Sequence, residues 1–407
     1  MDTKTMRILL INKHHYKKGG AERAYFDTAR ILAENGHSVA FFSMEHSDNL
    51  ATPWSKYFVS PVDYLDEKQS VWKKIQAAFS IIWNFEAARN LEALIVEFGP
   101  EVAHLHNTYH QLSPSILWVL KRHRIPVVMT LHDYKAVSPN YSLFVRGKIW
   151  EHTSGFRTII DRAIKDSFLK SMVCALELWF HKLIGSYKLV DQFIAPSQFL
   201  IDKYKELGFP YAIQRIAQPL SPFPGRPEVF GSGKYFLFAG RLSSEKGAET
   251  LLEVFSQIPE ERLLVAGTGP DEERLKLAYG RCKNIQFLGH LTGKPLEKIF
   301  HEAKAFVLPS EWYENMPYSL LEALSFGLPV IGSRLGGTVE RIREGENGFL
   351  FEPGSADDLR QALEIFKRTH HASMGEAAWE SIQDLQEGKY YQVLDALYRR
   401  LIDSKKI

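Results

Sequence analysis

Two carboxylates, Glu314 and Glu322, stand eight residues apart in the stretch EWYENMPYSLLEALSFGLPVIG, Glu311 to Gly332. Between them, Pro317 suits the first position of a helix, where a missing N–H leaves nothing unsatisfied. Glu314 then belongs to the loop before a helix N-terminus, and Glu322 lies about a turn and a half inside it. Free amides at such an end favour a phosphate. One short segment thus offers amides to a diphosphate and two acceptors to sugar hydroxyls. The combination points to chemistry on a nucleotide-sugar.

A leaving diphosphate also needs cations. The segment FAGRLSSEKG, Phe238–Gly247, reads as a strand end that places Arg241 and Lys246 in a loop. Arg would bind a diphosphate as a planar fork and Lys as a point charge; two solvated surface charges are the plainer reading. In KKGGAER, Gly19 and Gly20 would let the backbone approach a ligand with a helix N-terminus behind. An ordinary strand-to-helix turn fits too, and the G-x-G-x-x-G spacing is missing. VAGTGP presents Gly267 and Gly269, either a structural turn or the edge of a nucleotide pocket. TLHDY ends a strand with His132 and Asp133. His132 would bond a sugar hydroxyl, or stabilise positive charge at a reacting carbon through ring or carbonyl; a satisfied structural histidine is the alternative. His104, His106 and Asn107 in HLHN support it from a neighbouring strand, with no third ligand nearby for a metal. LGGTVE, Leu335–Glu340, reads as a glycine turn feeding a helix, with Thr338 and Glu340 near its start.

The elements that position these groups alternate. Strand-like runs at Arg7–Asn12, HSVAFFS, EVAHLHN, PVVMTLH and LVDQFIAPS are separated by helical patterns at AERAYFDTARILAENG, around Val71–Phe98 and at Pro114–Arg124. Gln218–Lys234, dense in Pro, Gly and Ser, reads as a linker. The rhythm restarts with YFLFAGRL, RLLVAGTG, IQFLGHL, AFVLPS and LPVIGS. Such a rhythm implies parallel sheets covered on both faces. The expected fold is α/β with two doubly wound Rossmann-like domains facing across a cleft, residues 1–217 and 218–387. The Tyr-rich helix at 388–407 is expected to pack back on the first domain. Ligands in such sheets bind beyond the strand C-termini.

The 407 residues suffice for two cores, and 45% hydrophobic with 24% charged is a globular composition. A net charge of +2 gives no general case for nucleic acid. Cys174 and Cys282 form no disulfide framework or zinc spacing. The apolar N-terminal run is short for a signal peptide, and no run of about 18 apolar residues suggests a spanning helix.

In their order, GGAER, LHDY, GRLSSEKG, AGTGP, FLGHL, Glu-x7-Glu with EALSFGLPVIGS, and GG-x-x-E resemble the retaining glycosyltransferases of family 4, which have the GT-B fold. The resemblance implies that the second domain binds the nucleotide-sugar and the first the acceptor. It implies that Arg241 and Lys246 hold the diphosphate, Glu314 the donor-sugar hydroxyls and Glu322 the ribose. Gly20 would offer its amide to the phosphate, and His132 would lie near the anomeric carbon. Gly267, Gly269, Asn315, Met316, Pro317 and Tyr318 join the expected donor site. Where many relatives have Gly-Phe-Gly after the first glutamate, this chain has Asn315-Met316-Pro317, and Pro317 removes an amide. One subgroup carries Cys-Pro after LHDY; here VSPNYSLFVRGKIWEH stands instead. That loop is expected to shape the acceptor site with Asp133, Tyr134, Tyr141, Phe144 and Trp150.

The expected reaction is hexosyl transfer from a UDP- or GDP-sugar to a glycan or lipid-linked saccharide, with retention and no metal. Polysaccharide or glycoconjugate synthesis in the bacterial cytoplasm is the expected setting. Phe156–Tyr187 mixes aromatic, aliphatic and basic residues at helical spacing: either a helix covering the sheet or a peripheral contact with the membrane's inner face. A sugar-nucleotide epimerase and a binding module without turnover are the rival readings.

Overall fold

The structure, a computed structural model, describes residues 5–61, 79–221, 223 and 225–405. Its first sheet contains β1 (Arg7–Ile11), β2 (Ser38–Phe42), β3 (Val102–Leu105), β4 (Val127–Thr130), β7 (Gln192–Ala195) and β8 (Ile213–Arg215), in the order β2-β1-β3-β4-β7-β8. A separate hairpin pairs β5 (Phe144–Val145) with β6 (Lys148–Ile149). The second sheet contains β9 (Tyr235–Ala239), β10 (Leu263–Ala266), β11 (Ile285–Gly289), β12 (Ala303–Leu308), β13 (Val330–Ser333) and β14 (Gly348–Phe351), ordered β11-β10-β9-β12-β13-β14. Every pairing within both sheets is parallel. Helices on both faces are what this requires, and they explain why the strands are continuous apolar runs rather than alternating ones.

In the first domain, α1 (Gly20–Glu34), α2 (Phe85–Phe98), α3 (Ser115–Arg122), α4 (Gly155–Ile160), α5 (Phe168–Leu183) and α6 (Gln198–Glu206) connect the strands. The second contains α7 (Ala248–Ser256), α8 (Glu272–Tyr279), α9 (Lys294–His301), α10 (Tyr318–Ser325), α11 (Ala356–Lys367) and α12 (His371–Glu380). The last helix, α13 (Glu387–Ser404), lies on the first sheet. Its Tyr390, Leu394, Leu397 and Tyr398 share a core with Ile8, Leu10, Tyr25 and Val128. Tyr398 Oη bonds His104 at 2.5 Å and Tyr390 Oη bonds Thr28 at 2.7 Å, so the buried hydroxyls are satisfied.

The two parallel sheets and their order agree with the doubly wound expectation. Differences lie in short elements. Edge strand β8 and the β5–β6 hairpin have too few residues to announce themselves by periodicity, whereas β14, GFLF, is a buried run as long as β3. Of the helical region expected around Val71–Phe98, residues up to 78 lie outside the described residues, and α2 begins at Phe85 with Asn84 capping Ala87 N–H. LGGTVE forms a 3₁₀ turn, Gly336–Glu340, rather than leading into an α-helix.

Candidate active site

Strand order reverses between β9 and β12, so the loops leaving them depart to opposite faces and open a crevice. The β9 loop carries Arg241 and Lys246; the β12 loop carries Ser310 to Pro317. The two loops meet: Lys246 Nζ lies 2.5 Å from Glu314 Oε1, and Ser310 Oγ donates to the same oxygen at 2.8 Å. Gly247 makes this approach possible. Its φ is 63°, and a Cβ there would lie 1.8 Å from the Pro309 carbonyl oxygen. Glu314 is 5% exposed. Burial raises its pKa, but the Lys246 charge and the hydrogen bonds outweigh that and hold it below the usual value. Arg241 is exposed at the crevice mouth, with no ion pair among the described residues.

Gly336 and Gly337 serve this segment from behind. Added Cβ atoms would lie 2.4 Å from Glu314 O and 1.9 Å from Asn315 O. The Gly337 N–H donates to Glu314 O at 2.6 Å. The glycine pair is therefore a clamp on the Glu314 backbone. Glu340, after it, accepts from the Gln198 and Phe199 N–H groups at 3.1 and 2.5 Å and so caps α6 of the other domain.

Pro317 corrects one expectation. With ψ 131° it is the extended residue before α10, not its first helical residue. Glu322 lies in the second turn of α10, where Arg23 Nη1 donates to its Oε1 at 2.5 Å from across the cleft. The Arg23 guanidinium also stacks 4.3 Å from the Tyr318 ring centroid, and its Nη2 donates to Ser221 O at 3.2 Å. Arg23 is the residue that sequence reasoning missed; its one signal is its place in the first turn after Gly19-Gly20. Gly20 itself abuts Tyr318, whose Cδ2 would meet an added Cβ at 3.4 Å.

Other expected donor residues sit differently. Met316 is 5% exposed and belongs to a core that holds Leu320, Leu321 and, from the first domain, Ala24. Asn315 fastens the domains: its Nδ2 donates to His132 O at 2.5 Å and its Oδ1 accepts from Tyr134 Oη at 3.0 Å. The need for glycine at 267 and 269 is met by packing, since Cβ atoms there would lie 1.8 Å from Gly240 O and 2.2 Å from Leu242 O.

His132 is engaged on every side. Its Nε2 lies 2.9 Å from His106 Nδ1, its Nδ1 3.3 Å from Gln218 Nε2, and its carbonyl is taken by Asn315. Burial pushes its pKa down to about 4, so the ring is neutral near pH 7. Tyr134, only 1% exposed, is no acceptor platform. Asp133 turns inward, accepting from the Tyr109 hydroxyl and the Lys135 N–H. Burial raises its pKa. Tyr141 does lie at the surface, 45% exposed, stacked on Tyr109. Trp150 is half-buried and donates to Asp161 at 2.9 Å.

Behind Asp133 lies a buried ion pair, Lys135 Nζ to Glu177 Oε2 at 2.7 Å. Burial raises the Glu177 pKa, but Lys135 and His110 overcome it and bring it to about 2. Ligand atoms of His110, Cys174 and Glu177 lie within 4.8 Å of one another. Lys135 already neutralises the carboxylate that a metal would need. Removing one partner strands a buried charge, so Lys135→Met should cost about 3–5 kcal/mol in denaturant unfolding, while the double variant with Glu177→Leu recovers most of it.

The comparisons agree with this geometry. A family model described as "Glycosyltransferase Family 4" matches residues 18–217, and one described as "Glycosyl transferases group 1" matches 225–379. Sulfoquinovosyl transferase SQD2 of Arabidopsis thaliana is 35% identical over 71% of this chain and 54% of its own length. A GDP-mannose-dependent alpha-mannosyltransferase of Corynebacterium glutamicum is 31% identical over 49% of this chain and 50% of its own. The chain thus spans about half the length of each. Sucrose-phosphate synthase of Thermosynechococcus elongatus superposes with a TM-score of 0.70 at 18% identity, covering 98% of this chain and all of that one. Anabaena HepE with UDP-glucose gives 0.67 at 16%, covering 97% and 100%. With a glycosyltransferase model matched on each side of one cleft, the chain belongs to the family 4 type of GT-B glycosyltransferases, hexosyltransferases that move a sugar from a nucleoside diphosphate to an acceptor.

Proposed function

We propose that the enzyme transfers a hexosyl group with retention and without a metal, from a UDP- or GDP-sugar to a hydroxyl of a glycan or lipid-linked saccharide. The reading places it in bacterial polysaccharide or glycoconjugate synthesis. The observation that carries it is the convergence of Lys246, Glu314 and Glu322 on the crevice between β9 and β12. In this reading Arg241 and Lys246 take the diphosphate together with the Gly20 and Tyr318 amides. Glu314 accepts from sugar hydroxyls. Glu322 accepts from the ribose through Oε2, the oxygen that Arg23 leaves free. The named relatives use or hold both kinds of nucleotide, a GDP-mannose donor in one and UDP-glucose in another, so both bases remain in play.

Retention by double displacement needs a carboxylate under the anomeric carbon. In this reading Glu314 grips sugar hydroxyls away from the anomeric carbon, with its Oε1 held by Lys246 and Ser310, and Asp133 is held by Tyr109 and the Lys135 N–H. We therefore favour reaction on one face. The acceptor oxygen bonds to the anomeric carbon as the bond to the diphosphate oxygen breaks, and that leaving oxygen takes the acceptor proton. Cations and helix amides stabilise the charge that develops there. Product analysis in the presence of EDTA tests this: the anomeric configuration of the donor should persist, and an inverted product or a strict metal requirement would end the proposal.

For the acceptor, exposed Tyr141 is the strongest candidate platform, with Phe144 and Trp150 beside it in the loop. Tyr141→Ala should raise KM for the acceptor about tenfold through lost stacking while leaving donor Kd unchanged. An equal loss in donor binding would place Tyr141 elsewhere.

A further inference from the structure

Helix α5 carries apolar side chains on both faces. Its buried stripe holds Ser171, Cys174, Ala175, Glu177, Leu178 and His181, whereas its outer stripe holds Leu169, Leu176, Trp179 and Leu183. Leu169 and Leu183 are each 66% exposed and Trp179 is 61%. The four recur at helical spacing, so they form one ridge. Phe156 and Ile160 on α4, which packs against α5, extend it. Surface helices normally turn the apolar face inward, and a contiguous exposed apolar face marks an interaction site. The inner face is already packed: Ala175 and Leu178 are buried there, Glu177 takes Lys135, and His181 Nδ1 bonds Ser186 Oγ at 2.9 Å. Packing against the domain therefore does not explain the outer ridge.

Charge narrows what covers it. Arg157, Arg162, Lys165 and Lys188 are exposed on this same segment, while Lys182 turns its ammonium to Val137 O. Its acids are occupied: Glu177 is buried with Lys135, Asp166 pairs with Arg146, and Asp161 accepts from Trp150. An apolar ridge in a basic rim is complementary to an anionic lipid surface, with side chains at the acyl boundary and cations among headgroups. A second copy docked about a two-fold axis would instead set the basic rim against itself. Trp179, with an apolar ring and one N–H, suits that boundary.

We propose that the α4–α5 pair docks the acceptor-side domain on an anionic membrane surface. Among the described residues no helix is long and apolar enough to cross a membrane, so the contact is peripheral. The proposal does not depend on the transfer chemistry. Co-sedimentation of the full chain with vesicles, without substrates, tests it. The chain should sediment with phosphatidylcholine–phosphatidylglycerol vesicles and more than about tenfold less with phosphatidylcholine alone. Added salt should weaken the binding. The variant Leu169→Gln/Trp179→Gln/Leu183→Gln should lose it while keeping the native melting temperature, since all three side chains are exposed. No sedimentation with anionic vesicles, or equal sedimentation of the variant, overturns the proposal. So does a dimer in solution that the variant abolishes, because a second copy would then cover the ridge.

Discussion

Lys246→Ala lowers kcat/KM for transfer by about a hundredfold or more, the scale for removing one preorganised group facing a developing anion. It should also destabilise the second domain. Glu314 would stay buried with Ser310 but without its cation. Breaking a buried pair from one side costs about 3–5 kcal/mol, and the partial exposure of Lys246 places this pair toward the low end. Glu314→Gln separates the effects. It keeps a bond to Ser310 and leaves Lys246 near water, so transfer should collapse while the melting temperature moves little. The pH dependence follows from the depressed Glu314 pKa. Such a group stabilises the fold above its unfolded pKa, and that contribution disappears as pH falls through the folded value. In Lys246→Ala only burial and the remaining hydrogen bonds act on Glu314, so acid unfolding should begin at higher pH. Kinetics and acid titration of both variants check this; full activity in Glu314→Gln would remove it from the donor site.

Glu322→Ala weakens donor binding by about 10- to 100-fold, the value of hydrogen bonds to a charged acceptor. The loss should appear for the nucleoside diphosphate alone as much as for the sugar nucleotide, because the contact is to ribose. Glu314→Gln should behave oppositely, sparing the free nucleotide. Glu322→Gln keeps one carbonyl acceptor but replaces the charged bridge to Arg23, and an intermediate loss is expected. Calorimetric titration with nucleotide and nucleotide-sugar distinguishes the two glutamates; identical profiles would contradict the assignment of ribose to one and sugar to the other.

Much of this was legible in the sequence because parallel strands buried on both faces write themselves as apolar runs, and loops at their C-terminal ends carry the polar groups. Arg241, Lys246 and Glu314 are local features of such loops. Where the reading fell short, the cause is tertiary. Nothing in GGAER says that Arg23 will cross the cleft to Glu322, since 299 residues separate them. Asn315 and Tyr134 looked like ligand contacts because both flank the site, yet they satisfy each other between the domains. The glycine pair at 336 and 337 reads as a turn until the Glu314 backbone is seen lying against it. Pro317 shows the usual one-residue uncertainty at a helix start.

The central claim is that Lys246 and Glu322 hold the donor nucleotide in the second domain without a metal. Thermal unfolding with a panel of nucleoside diphosphates and their sugars, in EDTA, tests it most directly. Ligand at about 100 times its Kd should stabilise the native chain by about 2.7 kcal/mol. The account predicts a rise in Tm for UDP or GDP ligands that Lys246→Ala and Glu322→Ala lose. A rise that survives in both variants, or appears only when a divalent metal is restored, would contradict it.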